Sequence, residues 1–436
     1  MLAAAIRDIK ALDRHTYGGR VVGVEGVRLV VDAPLRALAL GASAVIDGGV
    51  RAELVGFDGE RGVMIACDPV EGLRPGANVV LDPKPAYISP HSLWLGRVID
   101  AFAEPIDGVG PLPQGSRQRP LRAAPPSAHA RARVGGRLDL GVKALDLFTP
   151  CGLGQRLGLF AGSGVGKSTL LSMIAKGATA DVIVIGLIGE RGREAREFIE
   201  DALGPEGMKR SVVVVATSDE PAPKRRRAAW TTLAVAEHFR DQGKSVLCLL
   251  DSITRFALAQ REIGMAAGEP PAARGYAPSV FAELPKLLER AGPGTDQDGS
   301  ITGLFTVLVD GDDHNEPVAD AVRGILDGHV VIDRRIGERG RWPAIDVVKS
   351  VSRLATQLLS PAEADAASRA RRLLSVYGDM EELIRLGAYV RGADPETDAA
   401  IEAKPRLEDL LRQGPADIAD IAQARAALTE IVGAGA

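Results

Sequence analysis

Apolar positions recur at helical spacing at the start of the chain. Residues 2 to 14 carry them on one helical face, and Gly18 and Gly19 then end the segment; the apolar members are Leu2, Ile6, Ile9 and Leu12. An isolated helix this short is marginal in water, so it needs a surface to lie on. That surface is either its own domain or a partner protein. We set residues 1–18 apart as an N-terminal docking helix.

The pattern then changes to short β-rich runs. From residue 20 to about residue 90 these runs are broken by Gly, Asp and Pro at regular intervals. This spacing predicts a small β-barrel domain, which we place at residues 19–95. Residues 104 to 126 are rich in Pro, Gly and Arg and indicate an extended loop over a surface.

A third pattern, of apolar strand, Gly- or Asp-containing turn and helix, fills the middle of the chain. The predicted strands are residues 158–161, 182–188, 211–216, 246–250 and 304–309. This alternation is typical of an α/β domain with a mostly parallel sheet, which binds ligands at the carboxyl ends of its strands. We place this domain at residues 96–352. Beyond it, Ala, Leu, Arg and Glu at helical spacing predict a helical C-terminal domain over residues 353–436.

The composition narrows the class of protein. The 436 residues are enough for two or three domains, and 46% hydrophobic content is ordinary for a soluble protein. The net charge of −4 disfavours a protein that coats polyanions. Cys67, Cys151 and Cys248 lie far apart without the pairings of a structural zinc site, which favours a reduced, cytoplasmic setting. No apolar run approaches the roughly 20 residues that span a bilayer.

The sequence AGSGVGKS over residues 161–168 lies between an apolar strand and a helix start. In a phosphate-binding loop of this kind, backbone N–H groups and the helix dipole surround phosphate oxygens. We expect Lys167 to contact the β- and γ-phosphates and the Ser168 hydroxyl to bind Mg²⁺. The other predicted nucleotide-binding residues of this segment are Gly162, Ser163, Gly164, Val165, Gly166 and Thr169. The strict pattern has Gly where this chain has Ala161, and the competing interpretation is a plain Gly-rich turn.

Charged residues follow two other apolar strands. Asp251 ends one strand, where its carboxylate would support Mg²⁺; the alternative is a residue that only caps the next helix. Glu190 lies two residues beyond the other strand and is the candidate that orients the attacking water. Arg191 and Arg255 would steady the charge that develops on the phosphate. For Glu190 and the two arginines, the alternative is surface ion pairs.

The segment RWPAIDVVKSVSR over residues 341–353 is the last candidate. Trp342 has a side chain that can stack on a base, whereas spacing alone assigns no role to Arg353, because a lone Arg is usually solvated or salt-bridged. Residues 343–352 match the Pro-small-aliphatic-Asp-x-x-x-Ser-x-Ser signature of the catalytic subunits of rotary ATP synthases and their relatives. The chain therefore resembles that family.

Longer blocks refine the resemblance. They are similar to the ATPases of bacterial type III export, most of all to the flagellar branch, and comprise residues 185–200, 211–247, 262–292, 310–331 and 385–401. The resemblance implies an N-terminal β-barrel, a central RecA-like parallel-sheet P-loop nucleotide domain and a C-terminal helical domain. It implies Mg²⁺-dependent ATP hydrolysis that energises substrate engagement, unfolding and chaperone release in flagellar export. The ATPase of a virulence-associated type III secretion system is the alternative.

The resemblance also implies residue roles. They are phosphate and Mg²⁺ binding by Lys167 and Ser168, Mg²⁺ support by Asp251, water activation by Glu190, and proximity to the γ-phosphate for Arg191 and Arg255. Arg353 matches an arginine that reaches into the neighbouring subunit's site, which implies a homohexamer with a site at each interface. Trp342 and Tyr389 match aromatic residues that stack on adenine.

Several partners follow from the same resemblance. A central stalk protein would insert at the acidic loop over residues 310–317, which is otherwise a solvated turn. A stator-like regulatory protein would dock on the N-terminal helix. Export substrates, chaperones and an export gate at the membrane complete the set, with the protein cytoplasmic and peripherally associated with the inner-membrane export apparatus.

Other classes of protein that share this ATPase core fit the sequence less well. A hexameric nucleic-acid motor needs stacking aromatics in its barrel, and residues 20–90 hold only Phe57 and Tyr87, so we expect no nucleic acid as a partner. The basic run over residues 224–227 is then a solvated or interface cluster. A non-catalytic subunit would have lost Lys167 or Glu190. A rotary synthase subunit would lack the block over residues 268–292 in this form.

Overall fold

The computed structural model describes residues 17–82, 86–162, 164–309 and 316–433. The docking helix predicted over residues 1–18 lies outside these ranges except for Tyr17 and Gly18, which belong to the first strand. The acidic loop over residues 310–317 is described only at its last two positions. Within the described ranges, no helix has both the length and the apolar character needed to cross a bilayer.

The first domain is a closed barrel of antiparallel strands. Its strands are β1 (Tyr17–Glu25), β2 (Arg28–Asp32), β3 (Ser43–Ile46), β4 (Val50–Asp58), β5 (Arg61–Ala66) and β6 (Asn78–Asp82). They close in the order β1-β2-β5-β4-β3-β6. Burial alternates along β6, where Val79 and Leu81 are inside and Val80 is exposed, as the two-residue period of a strand requires. The predicted barrel is confirmed.

The later strands and the helices follow the barrel along the chain. The strands are β7 (Tyr87–Ile88), β8 (Val98–Ile99), β9 (Arg119–Pro120), β10 (Arg137–Leu138), β11 (Cys151–Gly152), β12 (Arg156–Ala161), β13 (Val182–Glu190), β14 (Ser211–Thr217), β15 (Ser245–Asp251), β16 (Gly292–Pro293), β17 (Ser300–Leu308), β18 (Gly328–Ile332) and β19 (Ile345–Ser352). The helices are α1 (Lys143–Phe148), α2 (Lys167–Gly177), α3 (Gly192–Glu197), α4 (Gly204–Met208), α5 (Ala222–Arg240), α6 (Ile253–Ala266), α7 (Pro278–Leu288), α8 (Pro317–Ile325), α9 (Arg334–Glu338), α10 (Ala355–Leu358), α11 (Pro361–Arg385), α12 (Pro395–Leu411) and α13 (Ile421–Gly433).

A nine-stranded sheet forms the middle of the molecule. Its order is β19-β18-β12-β17-β15-β13-β14-β8, with β16 paired to β17 beside this path. The pairings along the path are parallel except that of β18 with β19, which is antiparallel. The carboxyl ends of β12, β13 and β15 therefore lie at one edge of the sheet, as the sequence predicted for a ligand site.

Each face of this sheet packs against its own set of helices. Alternate residues of β13 face opposite ways, so that Ile183 belongs to one hydrophobic cluster and Val184 to the other. The cluster of Ile183 also contains Leu170 of α2 and Leu407 of α12. The helix that follows the phosphate loop and the C-terminal helical domain consequently share one core.

A buried ion pair ties the extended loop over residues 104–126 to the sheet domain. Arg290 is 2% exposed, and its Nε and Nη2 donate to the two carboxylate oxygens of Glu237 at 2.8 and 2.9 Å. Its Nη1 donates to the carbonyl oxygen of Leu121 in the loop at 2.5 Å. Arg290 thus holds the loop through Leu121, and its buried charge depends on the carboxylate of Glu237.

Replacing Glu237 should therefore destabilise the protein strongly. In Glu237→Gln the buried charge of Arg290 loses its partner, which costs on the order of 3 kcal/mol. The measurement is the urea midpoint of unfolding, followed by the fluorescence of buried Trp94 and Trp230. The control is Glu430→Gln, which breaks an exposed pair with Arg406 and should lower the free energy of unfolding by only about 0–1 kcal/mol. Equal midpoints for the two variants would contradict the anchoring role.

Candidate active site

The phosphate loop joins β12 to α2. Because β12 ends at Ala161 and α2 begins at Lys167, the loop lies at the carboxyl end of a central strand. Gly164 and Gly166 have φ angles of 75° and 82°, in the left-handed region that favours glycine. Ala161 is buried and pairs with Leu308 inside the sheet, so the position that departs from the strict motif is a strand residue.

The side chain of Lys167 lies between two carboxylates. Its Nζ contacts Oδ1 of Asp251 and is 3.3 Å from Oε1 of Glu190. Burial lowers the pKa of Lys167, but the charges and hydrogen bonds of both carboxylates outweigh burial and raise the pKa above its usual value. Lys167 therefore stays protonated and places a fixed positive charge beside the loop.

Asp251 is the last residue of β15 and is only 3% exposed. The hydroxyl of Thr306, on the neighbouring strand β17, donates a hydrogen bond to its Oδ1 at 2.7 Å. The next helix, α6, is capped by Ser252, whose hydroxyl accepts a hydrogen bond from the N–H of Arg255. The capping role that competed for Asp251 thus belongs to Ser252. Sequence reasoning missed Thr306, which only strand pairing brings to this carboxylate.

A β-bulge directs Glu190 towards the same place. Strand β13 continues to Glu190, further than predicted, and its register with β14 shifts between Ile188 and Glu190. Between them Gly189 has a φ of 71°, and a Cβ there would lie 2.9 Å from Cβ of Arg255. Bulges re-aim side chains next to active sites, and this one requires glycine. In the sequence, the only signal for this bulge was the position of Gly189 between the predicted strand over residues 182–188 and Glu190.

The environment of Glu190 favours a base of moderate strength. Burial raises the pKa of Glu190 and the charge of Asp251 raises it further, whereas Lys167 and Arg255 act in the opposite direction. The net shift is upward. A raised carboxyl pKa lies closer to the operating range of a general base.

These groups border a cleft of about 650 Å³. The predicted residues that line it are Gly162, Gly164, Gly166, Lys167, Ser168, Thr169, Glu190, Arg191 and Arg255. Val165 is buried beside them, and Ser163 lies outside the described ranges. Arg191 is at the exposed rim, where its Nη1 is 3.1 Å from Oε1 of Glu194, so in this chain it forms the surface ion pair of the alternative interpretation.

Trp342 lies against the phosphate loop. Its ring fills the space beside two glycines, since a Cβ on Gly166 would lie 2.6 Å from Cζ3 and one on Gly337 2.9 Å from Cη2 of the ring. The residue is 42% exposed, which leaves part of its surface available for stacking. The sequence did not indicate a role for Gly337, because a Gly within a short polar segment has no distinctive pattern around it.

Arg353 and Tyr389 do not line this cleft. Arg353 is exposed just after β19, and its Nη2 donates to the carbonyl oxygen of Arg323 at 3.3 Å. The hydroxyl of Tyr389 lies 3.0 Å from the carbonyl oxygen of Asp394 and from Oδ1 of Asp398, in the C-terminal domain. The structure thus gathers the phosphate loop, Glu190, Asp251 and Arg255, and leaves these two residues elsewhere.

Known proteins are similar to this chain over nearly all of its length. Residues 141–352 match the nucleotide-binding domain of the ATP synthase alpha/beta family, and residues 359–430 match the C-terminal domain of the type III secretion ATPase EscN. The flagellum-specific ATP synthase of Caulobacter vibrioides is 57% identical over 94% of this chain and 95% of its own length. The chain belongs to the flagellum-specific ATP synthase family. Its counterpart in Bacillus subtilis is 46% identical over 98% of this chain and 97% of its own.

Solved structures of a type III secretion ATPase share the fold of this chain. The assembled ATPase EscN of enteropathogenic E. coli superposes with a TM-score of 0.90, at 40% identity over 95% of this chain and 100% of that chain. EscN in complex with its central stalk EscO gives a TM-score of 0.86 at the same identity and coverage. The family resemblance, the three-part fold and the ATPase class predicted from the sequence are confirmed.

The hydrogen bond from Thr306 to Asp251 predicts a specific loss of activity. In Thr306→Val the carboxylate loses one partner worth about 1.5 kcal/mol, which corresponds to roughly a tenfold fall in kcat/KM for ATP. The matched control is Thr302→Val on the same strand, where the hydroxyl accepts from the N–H of Gly154 at 2.9 Å. Steady-state hydrolysis should separate the two variants. Equal losses in both would show that Thr306 acts only through stability.

Proposed function

We propose that the chain is the Mg²⁺-dependent ATPase of a flagellar type III export apparatus. As a homohexameric ring it energises substrate engagement, unfolding and chaperone release. The observation that carries the proposal is the cluster of Lys167, Glu190 and Asp251 beside a phosphate loop. The identity of 57% to the flagellar relative of Caulobacter vibrioides, against 40% to EscN and 45% over 80% of this chain to another type III secretion ATPase, favours the flagellar branch over virulence-associated secretion.

The donor chemistry of the cleft fits Mg²⁺. The Ser168 hydroxyl lines the cleft, and the Asp251 carboxylate lies beside it in contact with Lys167. Both are oxygen ligands of the type that Mg²⁺ prefers. When bound, Mg²⁺ neutralises part of the charge on the β- and γ-phosphates.

The chain's own groups supply the remaining chemistry. The phosphates of ATP replace the carboxylates as partners of Lys167, and the loop N–H groups surround their oxygens. Glu190, released from Lys167, accepts a proton from the attacking water. The water oxygen bonds to the γ-phosphorus while the bond to the ADP oxygen breaks, and ADP leaves with that electron pair. Arg255, with Arg191 at the rim, offsets the negative charge that develops.

The position of Arg353 supports a ring with shared sites. It follows the edge strand β19, outside its own cleft, and Val348 and Val351 on that strand are 41% and 44% exposed. An exposed apolar strand edge beside an arginine fits burial against a neighbouring subunit, whose site then receives the guanidinium. The likeness to assembled EscN supports the same arrangement.

The proposal extends to adenine and to the partner proteins. Trp342, beside the loop, is the platform for adenine, and Tyr389 is a second one. The EscN–EscO complex supports a central stalk as partner. The flagellar branch further suggests a stator-like regulator at the N-terminal helix, an export gate, substrates and chaperones, with the protein cytoplasmic and peripheral at the inner-membrane apparatus.

Replacing Glu190 should separate nucleotide binding from hydrolysis. Glu190→Gln keeps the size of the side chain but removes the base, so kcat should fall about 10²- to 10⁴-fold. Nucleotide affinity should be kept or increased, because Lys167 then has one competing carboxylate, that of Asp251, instead of two. Phosphate release and equilibrium binding of ATP measure the two effects.

The control for this variant is Glu197→Gln. Glu197 is an exposed carboxylate on α3 paired with Arg193, so its removal should leave turnover unchanged. Near-normal turnover in Glu190→Gln would remove that residue from its role.

Mixing two inactive chains tests the shared site. Lys167→Ala retains Arg353, and Arg353→Ala retains the phosphate loop, so in an equal mixture about a quarter of the interfaces combine both intact halves. We expect a corresponding fraction of wild-type ATPase activity to return. The double variant mixed with Arg353→Ala should stay inactive. Absence of recovery in verified mixed rings would argue against an arginine supplied by the neighbour.

A further inference from the structure

An ion pair between a buried arginine and a partly exposed glutamate links the C-terminal helical domain to the segment that carries Trp342. The preceding residue, Arg341, is 5% exposed, and its Nε lies 2.7 Å from Oε2 of Glu408 on α12. Its Nη2 donates to the carbonyl oxygen of Ile345 at 2.9 Å. A buried guanidinium needs its partner, so the place of α12 and the place of this segment depend on each other.

Gln413, two residues past the end of α12, makes a second connection. It is 4% exposed, and its N–H donates to the carbonyl oxygen of Trp342 at 2.9 Å. Its Oε1 accepts from the N–H of Lys143 at 3.0 Å, and its Nε2 donates to the carbonyl oxygen of Gly141 at 2.8 Å. A buried amide with its polar atoms satisfied from several segments holds one geometry.

These two connections lead to opposite ends of α2. At the start of that helix, the Trp342 ring packs on Gly166. At its end, Gly141 packs on Gly177 so closely that a Cβ on Gly141 would lie 2.6 Å from the Gly177 Cα. The C-terminal domain therefore reaches both ends of the helix that begins at the phosphate loop.

We infer that Glu408 and Gln413 are positioning residues that hold Trp342 against the phosphate loop and so set the affinity for the nucleotide base. The inference rests on the proposed function, in which Trp342 stacks on adenine. The phosphate contacts come from the loop itself and from Lys167, which neither residue touches. Loosening the ion pair should consequently weaken binding of the base and leave binding of the polyphosphate intact.

The test compares Glu408→Gln with a matched control in the full-length protein. The control is Asp409→Asn on the same helix, whose carboxylate pairs with Arg412 at 3.0 Å but is 72% exposed. Glu408→Gln should raise KM for ATP about fivefold and change kcat by less than about twofold, the signature of lost uniform binding. Inorganic tripolyphosphate, which has no base, should inhibit both variants with the wild-type inhibition constant.

A spectroscopic readout follows Trp342 directly. Trp94 and Trp230 are 0% and 5% exposed, so acrylamide quenching of tryptophan fluorescence reports mainly on Trp342, which is 42% exposed. Quenching should increase in Glu408→Gln and stay at the wild-type value in Asp409→Asn. Glu408→Asp keeps the charge and should recover most of the ATP affinity; it also serves as the test variant if Glu408→Gln does not fold.

Three outcomes would overturn the inference. They are a KM and quenching in Glu408→Gln equal to those of Asp409→Asn, a fall in kcat at unchanged KM, and a weakening of tripolyphosphate in parallel with ATP. Failure of the proposed function looks different, because the wild type would then hydrolyse no ATP or Lys167→Ala would remain active.

Discussion

The buried ammonium of Lys167 imposes the arrangement around the nucleotide cleft. A charge that is largely removed from water requires compensating charges, and here Asp251 and Glu190 provide them from the adjacent strands β15 and β13. The loop itself follows β12, which is separated from β15 by β17. Thr306 on this intervening strand holds the Asp251 carboxylate. The order of four strands is therefore what brings both carboxylates to one lysine at the start of α2.

Buried arginines pair with glutamates where parts of the chain meet. Arg226 of α5 lies 2.8 Å from Glu53 of the barrel, and both side chains are buried. Arg290 and Glu237 hold the extended loop, and the pair of Arg341 with α12 holds the helical domain. Such pairs contribute little net stability compared with apolar packing. Each pair instead brings opposite charges from two parts of the chain into contact, which matters for a site assembled from several of them.

The features that were predicted correctly are those marked by a pattern of neighbouring residues in the sequence. The barrel and the sheet followed from the two-residue period and from alternating strands and helices, and the phosphate loop followed from its glycine spacing. Thr306 and Gly337 have no such signature, since their contacts join segments far apart in the chain. The bulge at Gly189 was not predicted, because the run of apolar residues ends before strand β13 does. The roles of Arg353 and Tyr389 were inferred from family resemblance alone. Within a single chain, neither residue lines the cleft.

The closed barrel has a consequence for assembly. Each of its six strands is paired on both sides, so their backbone N–H and C=O groups are used within the domain. A neighbouring copy cannot extend this sheet by adding a strand, which is the usual route to open-ended polymers. Contacts between barrels must then be made by side chains and turns. Shape and charge at those surfaces, not backbone pairing, would decide how many copies close into a finite assembly.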